Sequence, residues 1–297
     1  MSPNPAILTW PRVYGPSLWM IAGDSGKLAT SPDGVTWTQQ TSGFGTTLIR
    51  ALAYGGTQWV AGGLSGKIAT SPDGVTWTQQ TSGFGTSSTY GLAHDGTQWV
   101  AVGYSGLIAT SPDGVTWTQR TSSFNTTTIY AVVHDGTQWV VSGESGLIAT
   151  SPDGVTWTQR TSGFGTTNAA IYALAHNGTQ WVAAGQSGKL ATSPDGVTWT
   201  MQASGFSTNG IYALAHDGTQ WVAAGYSGKL ATSPDGVTWT QRTSSFDTSG
   251  IYALAHDGTQ WVAAGAAGKI ATSPDGVTWT QQTSSFETTL LRAVAHD

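Results

Sequence analysis

The eight-residue phrase Ser-Pro-Asp-Gly-Val-Thr-Trp-Thr occurs seven times without change, and this repetition constrains the fold more than any other feature. The copies begin at Ser31, Ser71, Ser111, Ser151, Ser193, Ser233 and Ser273. Successive copies begin 40 residues apart, except for one interval of 42 residues. A fixed period of about 20 to 50 residues indicates a supersecondary unit copied in tandem, whose neighbours stack to bury a common core. We therefore expect a single repeat domain.

Each repeat contains four short segments with the alternation and turn signals of β-strands. In one copy these segments are 211–216, 220–225, 229–233 and 237–241. The last turn, Pro-Asp-Gly at 234–236, indicates a tight hairpin with a bulge. No segment has helical periodicity. Four antiparallel strands in about 40 residues form the blade of a β-propeller, so the sequence predicts an all-β, seven-bladed propeller.

The two ends of the chain complement each other in this scheme. Residues 290–297 match a first strand with no blade after it, whereas the first copy starts at a second strand, near residue 17. We therefore expect 290–297 to complete blade 1 and close the ring, which removes two open sheet edges. Residues 7–14 compete for the same slot, but Pro11 and a weaker match argue against them. The predicted organisation is an N-terminal tail, 1–14, over one face, and a propeller domain, 15–297.

The aromatic residues repeat with the blades. Fourteen of the 15 tryptophans occupy two repeated positions, and all seven phenylalanines occupy a third. Rings used in every blade favour packing between blades over a platform for sugars. The first tryptophan series is Trp19, Trp59, Trp99, Trp139, Trp181, Trp221 and Trp261, and the second is Trp37, Trp77, Trp117, Trp157, Trp199, Trp239 and Trp279.

Composition excludes several classes of partner. The chain has 11 lysines and arginines spread thinly and a net charge of −5, so no basic stripe for nucleic acid is present. No apolar run approaches the roughly 18 residues of a membrane span, and no signal peptide is visible, so a cytoplasmic protein is the default expectation. Without cysteine or nucleotide-binding motifs, we expect no disulfide, no cofactor and no metal. A monomer is expected.

Six histidines end the first strands, at His94, His134, His176, His216, His256 and His296. Each is followed by aspartate or by Asn177, which could suggest a catalytic relay. No unique serine is present as a nucleophile, and six equivalent histidines are too dispersed to bind one metal ion. We interpret these histidines as local packing and hydrogen-bonding residues of a turn.

The phrase Ser-Pro-Asp-Gly-Val-Thr-Trp resembles the Asp-box (BNR) repeat of sialidase-like propellers, Ser-x-Asp-x-Gly-x-Thr-Trp, although it is one residue shorter between Asp and Thr. The resemblance covers all seven copies. In that family the box is a structural hairpin whose Asp accepts backbone N–H bonds and whose Trp packs between strands. It implies this structural role for Asp33, Asp73, Asp113, Asp153, Asp195, Asp235 and Asp275.

That family includes sialidases, photosystem assembly factors and sugar-binding lectins. Sialidases need an arginine triad that converges on the centre of the ring. Here Arg120, Arg160 and Arg242 follow the fourth strands, which places them at the periphery. The resemblance therefore favours a lectin-like binding protein over an enzyme.

Positions at which the seven copies differ carry the functional signal. The turn between the second and third strands is Gly-x-Ser-Gly in six copies, and the connection after each phenylalanine also varies and contains the one insertion, at about 168–170. In an up-and-down blade these variable segments share one face, which the start of the first strand also reaches. The variable x residues are Asp24, Leu64, Tyr104, Glu144, Gln186, Tyr226 and Ala266.

We predict twelve ligand-binding residues on this variable face, because tyrosine and arginine offer stacking area and hydrogen bonds. The leading hypothesis is a non-enzymatic, lectin-like propeller with repeated glycan sites, on this face or between blades. A protein-interaction scaffold, an Asp-box enzyme with convergent carboxylates, and a designed or recently amplified propeller without a selected ligand are the alternatives. Neutral drift of solvated loops would also make these turns vary. The twelve residues are Arg50, Tyr90, Tyr130, Tyr172, Tyr212, Tyr252, Arg292, Asp24, Tyr104, Glu144, Gln186 and Tyr226.

Overall fold

A computed structural model describes residues 17–122 and 124–297, which form seven four-stranded antiparallel sheets. The predicted fold class is confirmed, and the predicted tail, 1–14, lies outside the described residues. The innermost strands are β4 (Ile49–Tyr54), β8 (Thr89–His94), β12 (Ile129–His134), β16 (Ile171–His176), β20 (Ile211–His216), β24 (Ile251–His256) and β28 (Leu291–His296). The second strands are β1 (Trp19–Gly23), β5 (Trp59–Gly63), β9 (Trp99–Gly103), β13 (Trp139–Gly143), β17 (Trp181–Gly185), β21 (Trp221–Gly225) and β25 (Trp261–Gly265).

The remaining strands continue each blade outwards. The third strands are β2 (Leu28–Ser31), β6 (Ile68–Ser71), β10 (Ile108–Ser111), β14 (Ile148–Ser151), β18 (Leu190–Ser193), β22 (Leu230–Ser233) and β26 (Ile270–Ser273). The outer strands are β3 (Thr38–Gln40), β7 (Thr78–Gln80), β11 (Thr118–Gln119), β15 (Thr158–Arg160), β19 (Thr200–Gln202), β23 (Thr240–Arg242) and β27 (Thr280–Gln282). Short 3-10 turns occupy Asp24–Gly26, Tyr104–Gly106, Glu144–Gly146, Gln186–Gly188, Tyr226–Gly228 and Ala266–Gly268.

Each blade interface encloses one apolar cluster, as the aromatic repeats predicted. Trp221 is fully buried in a cluster that joins Val182 and Leu190 of the preceding blade to Ile211 of its own. Phe206, from the connection between the two blades, fills the same cluster. Seven such clusters run around the ring, so burial of each blade depends on both neighbours.

The C-terminal strand closes the ring, as predicted. Strand β28 pairs antiparallel with β1, with Trp19 opposite His296 and Ile21 opposite Val294. The backbone N–H of Leu18 donates to Oδ1 of Asp297 at 2.7 Å. The equivalent bond in a covalently continuous blade, from the N–H of Gln98 to Oδ1 of Asp95, is also 2.7 Å. Blade 1 therefore reproduces the geometry of the other blades from two distant parts of the chain.

The repeated loop between third and outer strands differs from the prediction. A tight hairpin would start the outer strand at residue 237, whereas β23 begins at Thr240. The carboxylate of Asp235 explains the longer loop, because its Oδ1 accepts the N–H groups of Val237 at 2.9 Å and Thr238 at 2.7 Å. The indole Nε1 of Trp239 donates to the carbonyl of Gly236 at 3.0 Å. All seven repeated aspartates accept the two backbone bonds.

These loops predict acid-sensitive stability. The backbone N–H groups of Thr238 and Val237 lower the pKa of Asp235 from 3.8 to about 2, and the other six repeated aspartates shift in the same direction. Because the folded-state pKa lies below the unfolded one, this stabilisation is present above pH 3.8 and is lost as the pH falls towards about 2. We expect the urea midpoint to be lower at about pH 3 than at about pH 6 at matched ionic strength. Equal midpoints would contradict this assignment.

Candidate functional site

A β-bulge in every innermost strand presents one side chain to the central channel. In β16, Ile171 pairs with Gly185 and Ala173 pairs with Ala184, which leaves Tyr172 unpaired. Bulges of this kind re-aim a side chain. The same register shift occurs in all seven blades.

The glycine that ends each second strand makes this bulge possible. The N–H of Gln186 donates to the carbonyl of Ala170 at 2.8 Å, across the bulge. A Cβ on Gly185 would lie 2.0 Å from that carbonyl oxygen. The invariant glycine is therefore required by the close approach of two backbone segments, and it indirectly positions Tyr172.

The seven bulge residues line one cavity of about 340 Å³ at the mouth of the channel. The innermost strands also line an adjoining cavity of about 220 Å³, whose walls include Leu52, Leu174 and Val294. The structure therefore brings together seven of the twelve predicted residues. We call this set the mouth ring: Arg50, Tyr90, Tyr130, Tyr172, Tyr212, Tyr252 and Arg292.

The five tyrosines of the mouth ring contact one another in sequence. Ring centroids are 5.7 Å apart between Tyr90 and Tyr130, 5.2 Å between Tyr130 and Tyr172, and 5.5 Å between Tyr172 and Tyr212. Tyr212 and Tyr252 are stacked, with centroids 5.0 Å apart. These distances suit attractive aromatic pairs, which hold the side chains in place before any ligand binds.

The two arginines lie on adjacent strands and differ in their partners. Arg292 donates Nε to Oδ1 of Asp24 at 2.7 Å. The guanidinium carbon of Arg50 lies 4.5 Å from the ring centroid of Tyr90. The buried Nε of Arg50 has no hydrogen-bond partner in the part of the chain that the structure describes. Burial, and then the charge of Arg292, lower the pKa of Arg50. Arg50 thus brings a positive charge to the cavity without a paired carboxylate among the described residues.

Glu144 adds a carboxylate next to the tyrosines of the mouth ring. The hydroxyl of Tyr130 donates to Oε1 of Glu144 at 3.0 Å, and Oε2 accepts the N–H of Thr128 at 3.2 Å. Burial, followed by this hydrogen bond, raises the pKa of Tyr130, and burial followed by the Glu144 charge raises the pKa of Tyr172. Tyr130 and Tyr172 therefore remain neutral hydroxyl donors at physiological pH.

A third cavity, of about 370 Å³, adjoins the mouth and shares Tyr172 and Tyr212 with it. Its other walls come from variable segments, including the predicted residues Gln186 and Tyr226, of which Tyr226 is 54% exposed. Two polar residues, Thr208 and Asn209, were not predicted. They lie in the variable connection after Phe206, and that variability was the available signal. We call this cavity the side cleft.

The remaining candidate residues lie elsewhere. Tyr104 is 55% exposed and lines neither the mouth nor the side cleft. On the opposite face, Nδ1 of His94 accepts the N–H of Gly96 at 3.1 Å, and its ring lies 4.6 Å from that of Trp99, which is the local role expected. Arg160 is at the periphery, as predicted, and donates Nε to Thr150 Oγ1 at 2.9 Å.

Residues 17–122 and 124–297 contain neither a metal-binding cluster nor a membrane-spanning helix. No group of three or more histidine, aspartate or glutamate side chains there could hold a metal ion. No helix in that part of the chain is long and apolar enough to cross a membrane.

Comparison with known proteins relates the chain to propellers through fold alone. No protein-family model matches it, and no curated protein sequence matches it. Among solved structures, YCF48 bound to D1 peptide is similar, with a TM-score of 0.68 and 18% identity over 91% of this chain and 100% of that one. YCF48 from Cyanidioschyzon merolae has a TM-score of 0.64 and 16% identity, over 81% of this chain and 88% of that one. The computationally designed protein Ika8 has a TM-score of 0.68 and 15% identity, over 94% of this chain and 87% of that one.

Proposed function

We propose that this chain is a non-catalytic binding propeller that holds a peptide segment of a partner protein at the mouth of its channel. The observation that carries this proposal is the convergence of five tyrosines and two arginines on one cavity. Tyrosine and arginine are enriched among the residues that dominate protein-binding energies, because they combine apolar area with hydrogen bonds. The fold neighbour solved with D1 peptide supports a peptide ligand for a propeller of this shape.

The shape of the site favours a peptide over repeated glycan sites. A lectin with one site per blade requires equivalent clefts, but the side cleft is built from residues that differ between blades, including Gln186, Asn209 and Tyr226. The mouth and the side cleft share two tyrosines, so an extended chain can occupy both. A glycan remains the second candidate, because Tyr226 offers an exposed aromatic face beside polar side chains.

We also propose that the chain has no catalytic activity. Two carboxylates hydrogen-bond residues of the mouth ring: Asp24 is bound by Arg292, and Glu144 is bound by Tyr130. A carboxylate that is already held in this way does not fit the free acid–base pair that hydrolysis of a glycoside requires. The repeated loops, with an aspartate that accepts backbone bonds, support our inference that they are structural Asp-box hairpins.

Affinity selection tests the function. A synthetic library of random peptides with free termini is passed over the immobilised protein, and retained peptides are sequenced by mass spectrometry. We expect Tyr172→Ala/Tyr212→Ala to lose the retained peptides, because both tyrosines line the mouth and the side cleft. The matched control is Tyr104→Ala, which removes an exposed tyrosine from the same face and should retain them.

Two results would contradict the proposal. The first is that the wild-type protein retains no peptide beyond a column without protein. The second is that the double variant, shown to be folded by its unfolding midpoint, retains the same peptides as wild type. A glycan-array ligand that is lost in the double variant would replace the peptide with the second candidate.

A further inference from the structure

The mouth ring is chemically one-sided although the fold is close to seven-fold symmetric. Five successive blades contribute tyrosine, and the two remaining blades, which are neighbours through β28 and β4, contribute arginine. The single insertion, at about 168–170, precedes Tyr172 in the blade that lies across the mouth from this arginine pair. A ligand in this cavity therefore meets a cationic edge on one side and an aromatic edge with the side cleft on the other.

The charges at the cationic edge sum to about one uncompensated positive charge. Asp24 accepts the Nε of Arg292 at 2.7 Å, so that arginine is largely neutralised. No ion pair joins Arg50 to a carboxylate in residues 17–122 and 124–297, and its buried Nε has no partner. A buried donor on a charged group is costly to leave unsatisfied, and Arg50 lines the mouth cavity, so an acceptor bound in that cavity is favoured beside its guanidinium group.

From this geometry we infer that Arg50, assisted by Arg292, is the docking point for a single carboxylate of the bound peptide. This inference rests on the proposed function and adds the chemical group that the site recognises. The peptide then runs from Arg50 across the tyrosines towards the side cleft. Tyr90 supports the docking point, since its ring lies against the guanidinium group at 4.5 Å.

A carboxylate fits this edge better than a phosphate. A carboxylate carries one negative charge, which matches the one uncompensated arginine, and its two oxygens suit a planar guanidinium group. A phosphate monoester carries between about 1.5 and 2 negative charges at neutral pH. The excess would lie near Asp24, whose side chain is 35% exposed beside Arg292 and is already negative.

The arginine Nε–H groups provide a direct readout that does not require a known peptide. The chain has six arginines, so selective 15N-arginine labelling gives six Nε signals. Arg120, Arg160 and Arg242 are internal controls, because each donates Nε to a threonine hydroxyl on the outer part of its blade. Titration with sodium acetate should shift the Arg50 signal in a saturable way, shift Arg292 less, and leave the three control signals in place.

Peptides from the affinity selection provide the second arm. Each peptide is compared with its C-terminally amidated form and with forms in which Asp or Glu is replaced by the amide. One of these changes should weaken binding at least about tenfold, which identifies the α-carboxylate or a side-chain carboxylate as the group bound. Arg50→Gln should cause a similar loss and remove the difference between the acid and amide forms. Arg160→Gln is the matched control.

The outcomes separate the inference from the proposed function. If peptides bind but tolerate every loss of carboxylate, or bind Arg50→Gln as they bind wild type, the docking point is wrong and peptide binding stands. If no peptide is retained, the acetate titration decides on its own, and a flat Arg50 signal overturns the inference. A stronger shift with inorganic phosphate than with acetate would also overturn the choice of carboxylate.

Discussion

Removal of residues 290–297 is expected to abolish the closed fold. This deletion leaves blade 1 with three strands and exposes the hydrogen-bonding edge of β1, which normally pairs with β28. It also removes Leu291 from the cluster that joins Val262 and Ile270 of the last blade to Trp19 and Ile21 of the first. Unpaired edges promote association, so we expect aggregates or oligomers and a strongly lowered unfolding midpoint.

Size-exclusion chromatography with light scattering, together with thermal unfolding, measures this effect. The matched control removes Asp297 alone, which leaves β28 in place and costs mainly the hydrogen bond to the N–H of Leu18, or about 1 kcal/mol. A synthetic peptide of residues 286–297 should restore the mass and midpoint of the full chain, and a scrambled peptide should not. A truncated protein with the oligomeric state and the midpoint of the full chain would contradict closure by β28.

The substitution Trp221→Ala is expected to lower the free energy of unfolding by roughly 3–5 kcal/mol. The side chain is fully buried between two blades, where it contacts the cluster that contains Val182 and Leu190. A cavity at this place weakens both blades, because neither can bury its face alone. Urea unfolding followed by circular dichroism measures the change.

Two further substitutions show whether the loss of stability comes from the buried volume of Trp221. The buried Nε1 of Trp221 has no hydrogen-bond partner among the described residues, so Trp221→Phe loses only volume and should cost much less than Trp221→Ala. Val237→Ala, at a side chain that is 41% exposed in the repeated loop, should leave the midpoint nearly unchanged. A cost below about 1 kcal/mol for Trp221→Ala would show that the first tryptophan series does not hold the blades together.

The fold followed from the sequence because each blade repeats the same local signals. Turn residues at fixed offsets divide the period into four strands, and the position of Trp19 shows which strand the first blade lacks. The conformation of the repeated loop was harder to predict from the sequence, because it depends on hydrogen bonds made by a side chain. The carboxylate of Asp235 bonds two backbone N–H groups and thereby delays the outer strand to Thr240.

The candidate site was predicted as a set of residues but not as a cavity. The comparison of copies identified Arg50 and Tyr172 on the variable face, yet a strand with regular alternation gives no sign of a bulge. The bulge arises from tertiary contact, in which Gly185 admits the carbonyl of Ala170. The sequence also did not predict that Arg292 has a carboxylate partner and Arg50 has none among the described residues, since Asp24 lies 268 residues from Arg292 along the chain.

Binding of one selected peptide to wild-type protein and to tyrosine variants tests the central claim most directly. Isothermal titration calorimetry gives the dissociation constant for wild type, for Tyr172→Ala/Tyr212→Ala, and for Tyr212→Phe, which keeps the aromatic ring. We expect the double variant to bind at least about 100-fold more weakly, and the phenylalanine variant to lose about tenfold or less. A double variant that is folded and binds within about twofold of wild type would show that the ligand does not occupy the mouth ring.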